Sequence, residues 1–152
     1  MRIKDIYDCE YEKHIKKITS EFDKTSNLEI IPDELSESDN DLASARRDLK
    51  FEDYKWATIK AYYSILHATN AFVRLKGVII NHHLCTYLFL EKLAKTGEID
   101  SKYVYTFKAA LDNRLDANYG SKYSEVVAIE AIEVAENYNR HIKELSGLAR
   151  KK

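Results

Sequence analysis

Arg114 is the residue of this 152-residue chain that asks most plainly for a chemical partner. It stands seven residues after Phe107 and three after Leu111, near the apolar face of the helical pattern that carries them. A guanidinium in that position must find a carboxylate, a carbonyl or a ligand phosphate. Asp53 and Glu91 are carboxylates that would satisfy it internally; a bound phosphate is the functional alternative. A second place lies upstream, where Lys60, Tyr63, His67, Asn70 and Arg74 recur at spacings of 3, 4, 3 and 4. This polar stripe is either an exposed helix edge with ordinary neighbours one turn away, or a groove or dimer face. In the second reading His67 titrates and Arg74 holds an anion.

Other chemistries read as absent. His82 and His83 are adjacent, so on a helix they diverge by about 100° and share a metal poorly. His14 and His141 lie among charges and read as solvated. The four glycines are at least 20 residues apart, so no glycine-rich phosphate loop exists. Neither a metal nor a cofactor is expected. Of the aromatic residues 11 are Tyr, which half-buried packing explains more simply than base stacking. A net charge of −1 removes the argument from bulk charge for nucleic-acid binding. Glu29, Asp33, Glu34, Glu37, Asp39 and Asp41 form a run without Lys or Arg, read as the solvated start of a helix. Cys9 and Cys85 make no motif, and no stretch is apolar enough to cross a bilayer. A reduced, cytoplasmic protein with no membrane partner is the expectation.

The elements that must hold these residues are helical. With only 4 Gly and 1 Pro, the chain lacks the breakers that β-sandwiches and disordered segments need. Ile15, Ile18 and Phe22 extend a period that predicts a helix from Lys4 to about Lys24. Residues 25–32 read as a connector, with Pro32 in the first turn of the next helix. Leu35, Leu42, Ala45 and Leu49 lie on one stripe of that helix. Asp53 can cap a helix running to about Lys76, whose broad apolar arc (from Trp56 through Tyr62 to Val73) marks it as central. Further helices are predicted over about 82–96, from Asp100 or Ser101 to Gly120, and from Ser124 through Leu145. The fold class is all-α: an up-and-down bundle of four main helices with an extra N-terminal helix and a short accessory helix. Residues 1–30 read as a helical extension, 31–147 as the bundle and 148–152 as a basic tail.

Ala61-Tyr62-Tyr63-Ser64-Ile65-Leu66-His67-Ala68, followed by Leu75-Lys76-Gly77, resembles the signature of the HEPN domain family, the higher eukaryote and prokaryote nucleotide-binding domains. The family pattern continues with a histidine after the glycine, matched by His82. Its later Arg-x-x-Ala-Asp-Tyr element is matched by Arg114-Leu115-Asp116-Ala117-Asn118-Tyr119, and its closing amphipathic helix by residues 124–145. The resemblance covers roughly residues 35–146.

What the resemblance implies is a helical bundle paired as a homodimer, acting with a nucleotidyltransferase partner in a toxin–antitoxin or nucleotide-binding role. Active toxins of the family are metal-independent ribonucleases carrying Arg-x(4–6)-His, the Arg on the scissile phosphate and the His moving the 2′-hydroxyl proton. Here Tyr119 stands five residues after Arg114, and no His occurs between Arg114 and His141. Asn118 replaces the family's Asp. A phenol with an ordinary pKa of about 10 is a poor base near pH 7. Three functions therefore stay open: a binding module for a nucleotide or RNA phosphate, a divergent ribonuclease, and a helical adaptor. Catalytic candidates are Arg114, Tyr119, His67 and His82; phosphate-binding candidates are Arg114, Asn118, Arg74, Tyr63 and His67. Tyr119 and Tyr123 are candidate sites of nucleotide attachment by the partner.

Overall fold

The computed structural model describes the backbone of residues 2–119 and 123–147, and the side chains of all these except 115–119. Six helices and one small sheet fill this span. Helix α1 (Ile6–Tyr11) leads into strand β1 (Ile15–Lys17), then α2 (Glu21–Lys50) and α3 (Tyr54–Leu75). Strand β2 (Val78–Ile80) follows, then α4 (His83–Lys95), α5 (Ser101–Tyr119) and α6 (Glu125–Leu145). The basic tail 148–152 lies outside the described residues.

The all-α bundle is as the sequence predicts from residue 35 onward. Asp53 caps α3 by accepting from the Trp56 amide at 3.4 Å, and Ser124 caps α6 through the Val127 amide at 3.2 Å. Gly77 and Gly97 close α3 and α4 with φ of +82° and +79°, a conformation a side chain would strain. Helix α3 is the centre: α2, α5 and α6 all pack on it, while α4 leans on α5. Its apolar arc is buried from Ile59 to Val73, but Trp56 is half exposed under the Lys55 ammonium. A buried polar seam fixes the register of three helices. Ser38 and Ser64 each donate a hydroxyl to the other's carbonyl at 2.7 Å, and the Asn139 amide donates to Ser64 Oγ at 2.8 Å. Thr69 and Tyr138 share a further bond of 2.8 Å.

The N-terminal part departs from the sequence reading. The helix predicted over 4–24 is broken: α1 has one and a half turns, and Ile15, read as a helical position, pairs with Ile80 across an antiparallel ladder. The expected connector 25–32 is helix interior. Ser20 caps α2 through the Asp23 amide, and Pro32 sits inside the helix instead of in its first turn. Pro32 has no N–H for the carbonyl of Leu28, and Leu28 is 70% exposed, so water can serve that carbonyl. The boundary near residue 30 therefore falls within one continuous 30-residue helix.

Cys9 and Cys85, expected to be free and reduced, are joined in a disulfide across 76 residues of sequence. The reason is non-local: α1 docks on α4, which brings two fully buried sulfurs together.

Candidate functional site

The site is built on Tyr62, in the middle of α3, where the chain places a large polar side chain on its most buried face. Tyr62 is 2% exposed, and its hydroxyl meets His83 Nδ1 at 2.9 Å. The Arg114 guanidinium lies over the Tyr62 ring, 5.2 Å from its centroid. Tyr63 contacts the same ring edge-on at 5.4 Å, and the fully buried Phe107 packs at 6.3 Å. Three elements thus converge: α3 gives the aromatic platform, α4 the imidazole from its first residue, and α5 the cation from its last turns.

Electrostatics set the protonation states. Burial pushes the Tyr62 hydroxyl above the ordinary phenol range, and the neighbouring Arg114 charge opposes that only in part. Burial also lowers His83 below the usual imidazole value, with Arg114 and His82 adding repulsion. At pH 7 the cluster therefore holds a protonated phenol, a neutral imidazole and a cation. Arg114 Nε is buried without a hydrogen-bond partner among the described residues. Neither internal partner expected for Arg114 is used: Asp53 caps α3, and Glu91 accepts from the Tyr87 hydroxyl at 2.9 Å. A half-buried guanidinium over an aromatic face, its Nε unpartnered among the described residues, has the charge and planar donor geometry that suit an anionic oxygen.

The polar stripe of α3 is neither an exposed edge nor an open groove. It is the seam with α2. Lys60 bonds Asp48 at 2.7 Å and Ser44 at 2.9 Å. His67 sits between Glu34 at 2.7 Å from Nδ1 and Asp41 at 3.5 Å from Nε2. Arg74 bonds Asn27 through its side chain at 3.2 Å and its carbonyl at 2.9 Å. The hydrogen bond to Glu34 raises the His67 pKa against the opposing effect of burial, and the charges of Glu34, Asp41 and Glu37 add to it. Two carboxylates against its ring make His67 a poor anion ligand, and among the described residues no hydrogen bond or ion pair joins it or Arg74 to Arg114. The acid run is correspondingly not a solvated helix start. It lies inside α2, where Glu34 and Asp41 face His67 and Asp39 holds Lys143 at 2.8 Å.

Other candidates fall as follows. His82 stands at the N-cap position of α4 without a side-chain cap bond, with its pKa lowered by burial and by His14, whose ring lies 4.8 Å away. His14 bonds Asn81 at 3.2 Å and His141 stacks on Tyr103 at 3.8 Å, so neither is merely solvated. Tyr63 is half buried beside the platform. Tyr123 is 47% exposed just ahead of α6. The side chains of Asn118 and Tyr119 lie outside the described residues. Sequence reasoning named His82 and missed His83. A signal was present: His83, Thr86, Leu90 and Leu93 recur at spacings of 3, 4 and 3, and the last three are buried. That period puts His83 on an inward stripe of α4.

Among the described residues no group of three His, Cys, Asp or Glu side chains could hold a metal ion, and no helix is long and apolar enough to cross a membrane. A comparison with curated proteins finds no match. The model of the HEPN domain matches residues 32–145, most of the chain, from the interior of α2 to the last residue of α6. The bundle that assembles Tyr62, His83 and Arg114 lies within that span, and the chain belongs to the HEPN family.

Proposed function

We propose that the protein is a HEPN-type binding module in which Arg114 holds a phosphate of a nucleotide or an RNA strand. The observation that carries this reading is the half-buried Arg114, stacked on Tyr62 with no carboxylate partner among the described residues. An internal ion pair would have neutralised its charge and taken part of its donor fork from a ligand. Family resemblance adds a homodimer and a nucleotidyltransferase partner in a toxin–antitoxin setting. The test is binding of adenosine monophosphate and of a short RNA, followed by anisotropy or titration calorimetry. Arg114→Ala should weaken both about tenfold to a hundredfold, the effect of losing a charge-assisted contact of about 1.5–3 kcal/mol. Its RNA affinity should also depend less steeply on salt. Equal affinity in the two proteins refutes the reading.

A divergent metal-independent ribonuclease is the second reading, favoured by one observation: neutral His83, held by Tyr62, shares its platform with Arg114. In the tautomer that donates Nδ1–H to Tyr62, Nε2 is free to take the 2′-hydroxyl proton, the role for which Tyr119 is ill suited. RNA cleavage in the presence of a chelator, lost in His83→Ala while RNA affinity remains, would establish it. Intact RNA after incubation with wild-type protein leaves the binding module alone.

A further inference from the structure

A slot of about 190 Å3 opens between α3, α5 and α6, and no role has yet been found for it. Its walls carry the methyl groups of Ala61, Ala109, Ala110 and Ala131, with the buried Tyr62 and Ile65 behind them. Small residues at facing positions on three helices leave a gap where a bundle would otherwise interlock larger side chains. An apolar cavity of about 150 Å3 accepts benzene, so this slot has room for one planar ring system with a few substituents.

The polar groups around the slot narrow the choice of ring. The Thr58 and Thr106 hydroxyls are already committed, donating to the carbonyls of Tyr54 and Lys102 at 2.8 and 2.9 Å. That leaves the exposed Asn113 carboxamide and Glu130 carboxylate at the rim, both without a hydrogen-bond or ion-pair partner among the described residues. A carboxylate repels an anion and accepts from N–H groups; a carboxamide can both donate and accept. A flat, apolar-faced ring whose edge carries an amine beside a ring nitrogen meets all of these conditions. Tyr62 lines the slot and also lies under the Arg114 guanidinium, and Asn113 immediately precedes Arg114. Slot and cation therefore adjoin across one aromatic ring.

We propose that the slot seats an amino-bearing nucleobase of the same nucleotide or RNA strand whose phosphate Arg114 holds. The proposal rests on the phosphate reading given above and adds to it the part of the ligand that confers selectivity. The alanine walls admit the ring by its faces, and Glu130 with Asn113 read its edge.

The two readings are separated by ligands that carry only one half of the nucleotide. Adenosine, which has no phosphate, should shift the methyl resonances of Ala61, Ala109, Ala110 and Ala131, and uridine should shift them less. Ala109→Leu fills the slot and should weaken adenosine monophosphate about tenfold, the scale of losing one seated base. Glu130→Gln keeps the volume of the slot and guards against a folding defect. It should narrow the preference for adenosine over uridine. Adenosine that leaves all four methyls unmoved overturns the proposal, and so does an Ala109→Leu protein, folded by circular dichroism, that binds the monophosphate as wild type does. If Arg114→Ala binds the monophosphate unchanged while adenosine still moves the methyls, the phosphate reading fails and the base slot stands.

Discussion

Replacing His67 by Gln gives the sharpest test of how the α2–α3 seam works. In the folded protein the imidazole lies 2.7 Å from Glu34 and 3.5 Å from Asp41, with all three side chains 18–27% exposed. Burial raises the Asp41 pKa against the lowering effect of His67, with Glu37 adding to the rise and Lys60 opposing it. The His67 pKa is raised from its ordinary 6.5, foremost by the bond to Glu34. A raised folded value means that the folded state holds the proton more tightly than the unfolded chain. The stabilisation is therefore complete below about pH 6.5 and is lost as pH rises through the raised value. A charge-assisted hydrogen bond contributes about 1.5–3 kcal/mol, and burial of the ion opposes it, so the net effect should be about 1–2 kcal/mol. With a urea dependence of about 2 kcal/mol per molar, the wild-type midpoint should exceed that of His67→Gln by about 0.5–1 M at pH 6. At pH 9 most of that gap should close. His82 and His83, lowered in the folded state, change stability in the opposite sense, but they are common to both proteins and cancel in the difference. A gap of the same size at both pH values would show that His67 contributes by packing alone, and the ion-pair account would be wrong.

Two further outcomes follow from the same geometry. Tyr62→Phe removes the hydroxyl that meets His83 while keeping the ring under Arg114, so urea denaturation should show a loss of about 1 kcal/mol; no loss would mean that the bond adds nothing over water. Reduction of Cys9–Cys85, or its replacement by a pair of serines, frees a 76-residue separation in the unfolded chain. The chain-entropy estimate is about 4 kcal/mol, and a denaturation midpoint indifferent to dithiothreitol would contradict the bridge.

The sequence was most legible where a pattern and a cap agree. Asp53, Gly77, Gly97 and Ser124 fix the ends of α3, α4 and α6, because capping is a local matter decided within four residues. It was misleading where a period alone had to decide. Ile15, Ile18 and Phe22 repeat as a helix would, yet Ile15 answers to Ile80, 65 residues on, and Phe22 is 79% exposed. The first part of α2 buries little besides Asn27 and Ile31, so its apolar signal is faint and Pro32 looks like a boundary. The polar stripe from Lys60 to Arg74 was visible, but its acceptors Asp48, Glu34, Asp41 and Asn27 come from another helix. No local rule pairs the two. Arg114 was found by its phase; His83 was passed over because the histidine expected by position was its neighbour.

What lies outside the HEPN match bears directly on that histidine. Residues before 32 are held to the rest of the chain by the β1–β2 ladder, the His14 bonds to Asn81, the Ile18 amide on the Gly77 carbonyl, the Cys9–Cys85 disulfide, and Asn27 on the end of α3. The ladder, the His14 bonds and the disulfide grip the short stretch from Val78 to Cys85, and His83 lies inside it. Thr86 adds an anchor from within, its hydroxyl donating to the His82 carbonyl at 3.3 Å. An imidazole at the first residue of a helix would ordinarily share the fraying of that end. Here the preceding strand is paired, the ring beside it is covered by His14, and the next half-turn is covalently tied to α1. The N-terminal segment is therefore a brace for the start of α4. It holds His83 against Tyr62 with the precision that a site divided among three helices requires.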